Sequence, residues 1–272
     1  MASGTDFVSF LSDYGSQDEF VGVCKAVIWG LAPKARILDI THGIAAHDIR
    51  GGALALARSA QYLPGGVVLA VVDPGVGTDR RGVAVEVSGS FLVGPDNGLL
   101  APAVAMLGGA QRVVSLTNSD YQLPTPGATF AGRDVFAPAA GHLAAGVSIE
   151  ELGEEVDPSA LVPGIMPLPQ PRDGAMACEV LWVDRFGNLQ LNLGPEELEG
   201  LGLRSGDPVE VRCGLETYVA RWVSAYAAGA SGELLIVVDS YGLVSLALAG
   251  EPAAESLGLR ATSPVSLAVP VR

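Results

Sequence analysis

The stretch GVVLAVVDPGVG, residues 66–77, constrains the fold more than any other part of the chain. Its apolar run carries no polar alternation, so a strand built from it must be covered on both faces. A central strand of a parallel sheet, flanked by helices, meets that requirement. The neighbouring segments supply the alternation such a sheet needs. FVSFLSDYG reads as a strand ending at Asp13 and a glycine turn. DEFVGVCKAVIWGLAP then has helical spacing, opened by acidic residues and closed near Pro33. ARILDITHG is a second strand and DIRGGALALARSAQYLP a second helix with Pro64 just beyond its end. GVAVEVSG and SFLVGPDNG read as a hairpin or paired strands, and NGLLAPAVAMLGGA as a further helix. The expected N-terminal domain, residues 1–161, is therefore α/β, a mostly parallel sheet between helices.

The proline-rich VPGIMPLPQPRDG, residues 162–174, has no periodicity and reads as an interdomain linker. After it come short strand-like runs separated by turns, such as CEVLWVDRFGNLQLNL, ETYVARWVSAYAA and GELLIVVDSYGLVSLAL. Residues 175–272 are expected to form a small all-β domain, barrel-like, with almost no helix. Two domains also suit a length of 272 residues.

The net charge of −14 argues against nucleic acid as a partner, because a phosphate backbone demands clustered Lys and Arg. Cys24, Cys178 and Cys213 are odd in number and lie far apart. They are expected to be reduced, buried thiols rather than a disulfide framework. MASGTDFVSF lacks a basic region followed by an apolar core, and no apolar run approaches the ~18–20 residues of a membrane span. A soluble, cytoplasmic protein with no membrane partner is the expectation.

Ligands of open α/β sheets bind at the carboxyl ends of the strands. Three predicted strands end in an aspartate closely followed by glycine: Asp13, Asp73 and Asp96. Singly each is ordinary turn chemistry; together they suggest a polar rim. In VVDPGVGTDRRGVAV, Asp73 leaves the strand, two glycines let backbone approach a ligand, and Arg80 can return to Asp73 as an ion pair. There is no Walker lysine, no GxGxxG run and no GxSxG elbow. His42 and His47 lack further ligands nearby in sequence, so no metal is expected, and His142 reads as a structural residue of a helix.

FLSDYGSQDEFVGVCKAVI, ILDITHGIAAHDI, VVDPGVGTDRRGVAVEV, VGPDNGLL, TFAGRDVFAPAAGHLA, VDRFGNLQLN and DSYGLVSLALAG occur in that order. Together these blocks resemble the S-adenosylmethionine (SAM) hydroxide adenosyltransferases, the SAM hydrolases related to the fluorinase and chlorinase. The resemblance implies hydrolysis of SAM to adenosine and methionine by attack at the ribose C5′. SAM is then the substrate and no cofactor is implied. A homotrimer with sites at its subunit interfaces is implied as well. Water is handled in that family by an Asp, an Arg and a His. Asp73 and Arg80 match the first two, and Asp73 stands where the halogenases carry a tyrosine. The histidine position is Ala131. Three readings stay open there: a histidine replaced on purpose, a natural variant in which Asp73 and Arg80 suffice, or a SAM-binding protein without turnover.

By the same resemblance Asp13 holds the ribose hydroxyls and Phe130 packs near the ribose. Asp184 meets the methionine ammonium, Phe186 stacks on the adenine and Asn188 hydrogen-bonds it. Ser240 and Tyr241 lie near the methionine carboxylate. Without the resemblance, DRFGN reads as a β-turn and DSYG as a strand end. Two further departures are His47, where relatives often carry an aromatic, and Tyr241, where the halogenase often has an arginine. A halogenase and a non-catalytic SAM or adenosine binder are the alternatives.

Overall fold

The structure, a computed structural model, describes residues 5–270. The chain divides into two compact units between Ile165 and Met166. The first unit carries strands β1 (Phe7–Ser12), β2 (Arg36–Thr41), β3 (Val67–Val71), β4 (Gly82–Val87), β5 (Ser90–Pro95), β6 (Arg112–Ser115) and β7 (Glu154–Val156). Its helices are α1 (Phe20–Leu31), α2 (Ile49–Ala60), α3 (Ala101–Met106) and α4 (Ala137–Ala144).

The strands form one sheet in the order β2-β1-β3-β5-β4-β6-β7. Pairing is parallel from β2 to β5 and antiparallel from β5 to β7. Strands β1, β2, β3, β5 and β6 therefore run one way, and β4 and β7 the other. As the unbroken apolar run requires, β3 is buried throughout. Its side chains alternate between two cores. Val67, Leu69 and Val71 pack with Ile28 of α1 and Leu143 of α4, while Val68 and Ala70 pack with Leu56 of α2 and Val104 of α3. The expected hairpin is β4–β5.

Close approach of α2 to the sheet needs a glycine. A Cβ on Gly52 would stand 2.9 Å from both Val72 and Leu99 side-chain carbons. The helix is started by Asp48, whose carboxylate accepts from the Gly51 amide at 2.8 Å. His47, just before it, takes a left-handed backbone with φ of 67°. Such strain in a non-glycine residue is a pointer to a functional position.

The second unit contains β8 (Gln170–Arg172), β9 (Ala175–Val183), β10 (Leu189–Leu191), β11 (Pro208–Cys213), β12 (Glu216–Val223), β13 (Leu234–Val238), β14 (Val244–Leu248) and β15 (Pro264–Ala268). The order β10-β14-β13-β12-β11-β15-β9 closes through a β9–β10 pairing, giving a seven-stranded barrel with β8 appended to β9. Its interior is apolar, with Val180, Leu189, Leu191, Val209, Val211, Ile236, Leu246 and Leu267 at its centre. Short helices α5 (Pro195–Gly200) and α6 (Ala253–Ser256) interrupt the strands. Cys24, Cys178 and Cys213 are buried and unpaired. Burial pushes the Cys24 and Cys178 thiols up to about 12, far from the range of a reactive thiolate.

Candidate functional site

At the carboxyl ends of β1 and β3 the first unit opens into a cavity of about 640 Å³. Asp13, Tyr14, His47, Asp73, Phe130, Ala131 and Arg133 are among its lining residues, with Asp18, Glu19 and Phe20. The position is the one a parallel sheet prepares for a ligand.

Asp73 leaves β3 and the chain folds back on itself. The Val76 amide bonds the Asp73 carbonyl at 3.3 Å, and the Thr78 hydroxyl bonds the Gly75 carbonyl at 2.7 Å. These turns, with Gly77 at a φ of 79°, return Arg80 to Asp73. Its Nε donates to Asp73 Oδ1 at 2.7 Å, and its terminal nitrogen donates to Oδ2, so the pair is bidentate. The Phe136 ring lies 5.0 Å from the guanidinium carbon. Arg80 thus holds the carboxylate in one orientation, and each oxygen keeps a lone-pair direction for a water.

Asp13 continues from β1. Its Oδ2 accepts the His47 amide at 2.9 Å, which ties the β1 turn to the strained residue before α2. A second chain of bonds fixes the same turn. The Ser12 hydroxyl lies 2.8 Å from His42 Nδ1, His42 Nε2 lies 3.1 Å from Asp39 Oδ1, and the Lys25 ammonium donates to Asp39 Oδ2 at 2.6 Å. His42 is committed to this network, and among the described residues no group of His, Cys, Asp and Glu is arranged to hold a metal. His142 packs edge-on against Tyr121, centroids 4.9 Å apart, and burial lowers its pKa.

Ala131 also lines the cavity. It precedes a turn of π-helix, Gly132–Phe136, that leads into α4. Such turns recur at functional sites. The Phe130 ring packs edge-on against Tyr14 and Phe20, centroids 5.7 and 5.1 Å away.

The third aspartate of the expected rim is elsewhere engaged, and that expectation is corrected. Asp96 lies outside the cavity lining. Arg81 donates to its Oδ2 at 3.0 and 2.6 Å, and its Oδ1 accepts the Val162 amide at 2.8 Å. It is a buried structural anchor. The rim is built from Asp13 and Asp73, with Asp18 and Glu19 adding negative charge.

The barrel unit has its own cavity of about 710 Å³, lined by Phe186, Asn188, Tyr226, Ser231, Leu248, Glu251 and Pro252 among others. Asp184 organises the turn between β9 and β10. Its Oδ1 accepts the Phe186 and Asn188 amides at 2.8 and 2.9 Å, and its Oδ2 accepts the Asn188 side-chain amide at 2.8 Å. A Cβ on Gly187 would stand 2.5 Å from Pro252, so this turn is seated closely on the start of α6. Phe186 is left 77% exposed. Asp239 organises the β13–β14 turn likewise, accepting the Tyr241 amide at 2.8 Å and the Gln190 side chain at 2.5 Å. Ser240 and Tyr241 are exposed on that turn, and with Asp184 they fall outside the cavity lining. The β-turn reading of DRFGN is therefore correct as local structure. Tyr14 was missed by sequence reasoning, because nothing in SDYG shows that residue 14 will meet residue 132.

Residues 8–153 match the family model described as the SAM hydroxide adenosyltransferase N-terminal domain, and residues 178–266 match that of the C-terminal domain. A (R)-S-adenosyl-L-methionine hydrolase of Salinispora tropica is 45% identical over 255 residues, covering 94% of this chain and 95% of the relative. A fluorinase of Actinoplanes sp. is 28% identical, with 96% of each chain covered. Among solved structures, an uncharacterized conserved protein from Thermotoga maritima superposes with a TM-score of 0.88 at 31% identity, covering 96% of this chain and 99% of that one.

Proposed function

The chain belongs to the SAM hydroxide adenosyltransferase family, and from that premise we propose that it hydrolyses S-adenosyl-L-methionine to adenosine and L-methionine. The observation that carries the mechanism is the Asp73 carboxylate, locked by Arg80 at the end of β3 and facing a cavity. A sulfonium is already cationic, so it departs as a neutral thioether without an acid. What the enzyme must provide is an aligned water with somewhere to send its proton. Asp73 accepts that hydrogen, Arg80 holds Asp73, and the new O–C5′ bond forms as C5′–S breaks. No metal or redox cofactor enters this chemistry.

In this reading Asp13, braced by the His47 amide, takes the ribose hydroxyls, and Phe130 packs near the ribose. The carboxylates of Asp13, Asp18, Glu19 and Asp73 favour capture of a cationic substrate. Phe186 offers a face for the adenine and Asn188 its amide, Asp184 meets the ammonium, and Ser240 and Tyr241 the methionine carboxylate. We assign these barrel contacts to a neighbouring copy in a homotrimer. Light scattering giving the mass of three chains is the check, and a monomer would remove the shared site. No helix among the described residues is long and apolar enough to cross a membrane. The unpaired thiols suit a reducing cytoplasm.

Incubation with SAM tests the activity, using both sulfonium epimers because the hydrolase relatives are named for the R form. Adenosine and methionine are expected in equal amounts, and added chloride is expected to change nothing. A 5′-chlorinated nucleoside would point to halide as nucleophile. The carboxylate of Asp73 argues against that, since it repels an anion at the point of attack.

A further inference from the structure

The cavity is lined by a phenolic hydroxyl that the mechanism has not used, that of Tyr14. Tyr14 follows Asp13 directly, and its ring is held edge-on by Phe20 and Phe130, with centroids 5.8 and 5.7 Å away. The phenol end points at Gly132. A Cβ built there would collide with the Tyr14 oxygen and stand 3.0 Å from the carbon bearing it. Glycine is thus what seats the phenol, and it is the residue immediately after Ala131. Tyr14 and Ala131 line one cavity with Asp73. Burial raises the Tyr14 pKa, and the neighbouring Cys24, Asp13 and Asp73 raise it further, against Arg80, so the phenol keeps its proton.

We propose that the Tyr14 hydroxyl holds the attacking water in place of the imidazole that Ala131 lacks, accepting one of its hydrogens while Asp73 accepts the other. Two acceptors on one water leave its lone pair aimed at C5′. As O–C5′ forms, the C5′–S electron pair passes to sulfur and the proton goes to Asp73 and then to solvent. Tyr14 ends the cycle as it began. It is an orienting group with no capacity as a base, which distinguishes it from a histidine.

This inference rests on the hydrolase reading, and the test separates the two. Tyr14→Phe removes the hydroxyl and keeps the ring contacts. In the parent chain kcat is expected to fall about ten- to hundredfold with KM unchanged. The same substitution beside Ala131→His is expected to cost less than about threefold, since the imidazole then holds the water. An equal loss in both backgrounds, no loss in either, or a change confined to KM would overturn the role of Tyr14 while the hydrolase reading stands. Absence of turnover in the parent and in Ala131→His alike would overturn the hydrolase reading, and this inference with it.

Discussion

Asp73→Asn is expected to slow SAM hydrolysis by about 10²–10⁴-fold, because the amide cannot take the proton that the attacking water must lose. That range corresponds to roughly 3–5 kcal/mol of barrier. The substitution has a second effect. Asp73 and Arg80 side chains are only 6% and 17% exposed, so the guanidinium loses a charged partner in a place where water replaces it poorly. Breaking a buried pair from one side costs about 3–5 kcal/mol, and the retained amide oxygen places the expected loss toward the lower end. A lowered melting temperature should therefore accompany the lost activity. Arg80→Lys would separate the effects: it keeps the charge but gives up the bidentate hold that orients the carboxylate. Full activity in Asp73→Asn would remove the carboxylate from the mechanism.

Ala131→His is expected to raise kcat at least ~10²-fold. Ala131 lines the same cavity as Asp73, so an imidazole at this position is expected to share the handling of the water. The gain comes from a group that accepts a proton near neutral pH, which neither Tyr14 nor a solvent molecule does. The rate of the variant should accordingly fall in acid, as the imidazole becomes protonated, and the parent should lack that limb. Equal rates would mean that Asp73 and Arg80, with Tyr14, already complete the site.

How much of this is legible in the sequence depends on whether the cause is local. The unbroken run of β3 announces a strand covered on both faces, and the structure divides its side chains between two cores. The Asp73–Arg80 pair is legible for the same reason: two glycines and a threonine between them set a short return. Asp96 shows the opposite case. It has the same strand-end pattern as Asp13 and Asp73, yet its partners are Arg81 and the distant Val162 amide, which no local pattern reveals. Closure of the barrel by β9 and β10, and the parallel pairing of β12 with β13, are backbone matters on which side-chain alternation is silent. Tyr14 belongs to this class too. Its place is decided by where α4 begins relative to β1, and only the fold brings residue 14 against residue 132.

The proposed reaction is attack of water, held at Asp73, on C5′ of SAM. The most direct measurement is the SAM incubation run in ¹⁸O-enriched water, with mass analysis of both products. One ¹⁸O is expected in adenosine, at the 5′-hydroxyl, and none in methionine. Unlabelled adenosine, or label in a methionine-derived alcohol in place of adenosine, would put the bond cleavage elsewhere and contradict it.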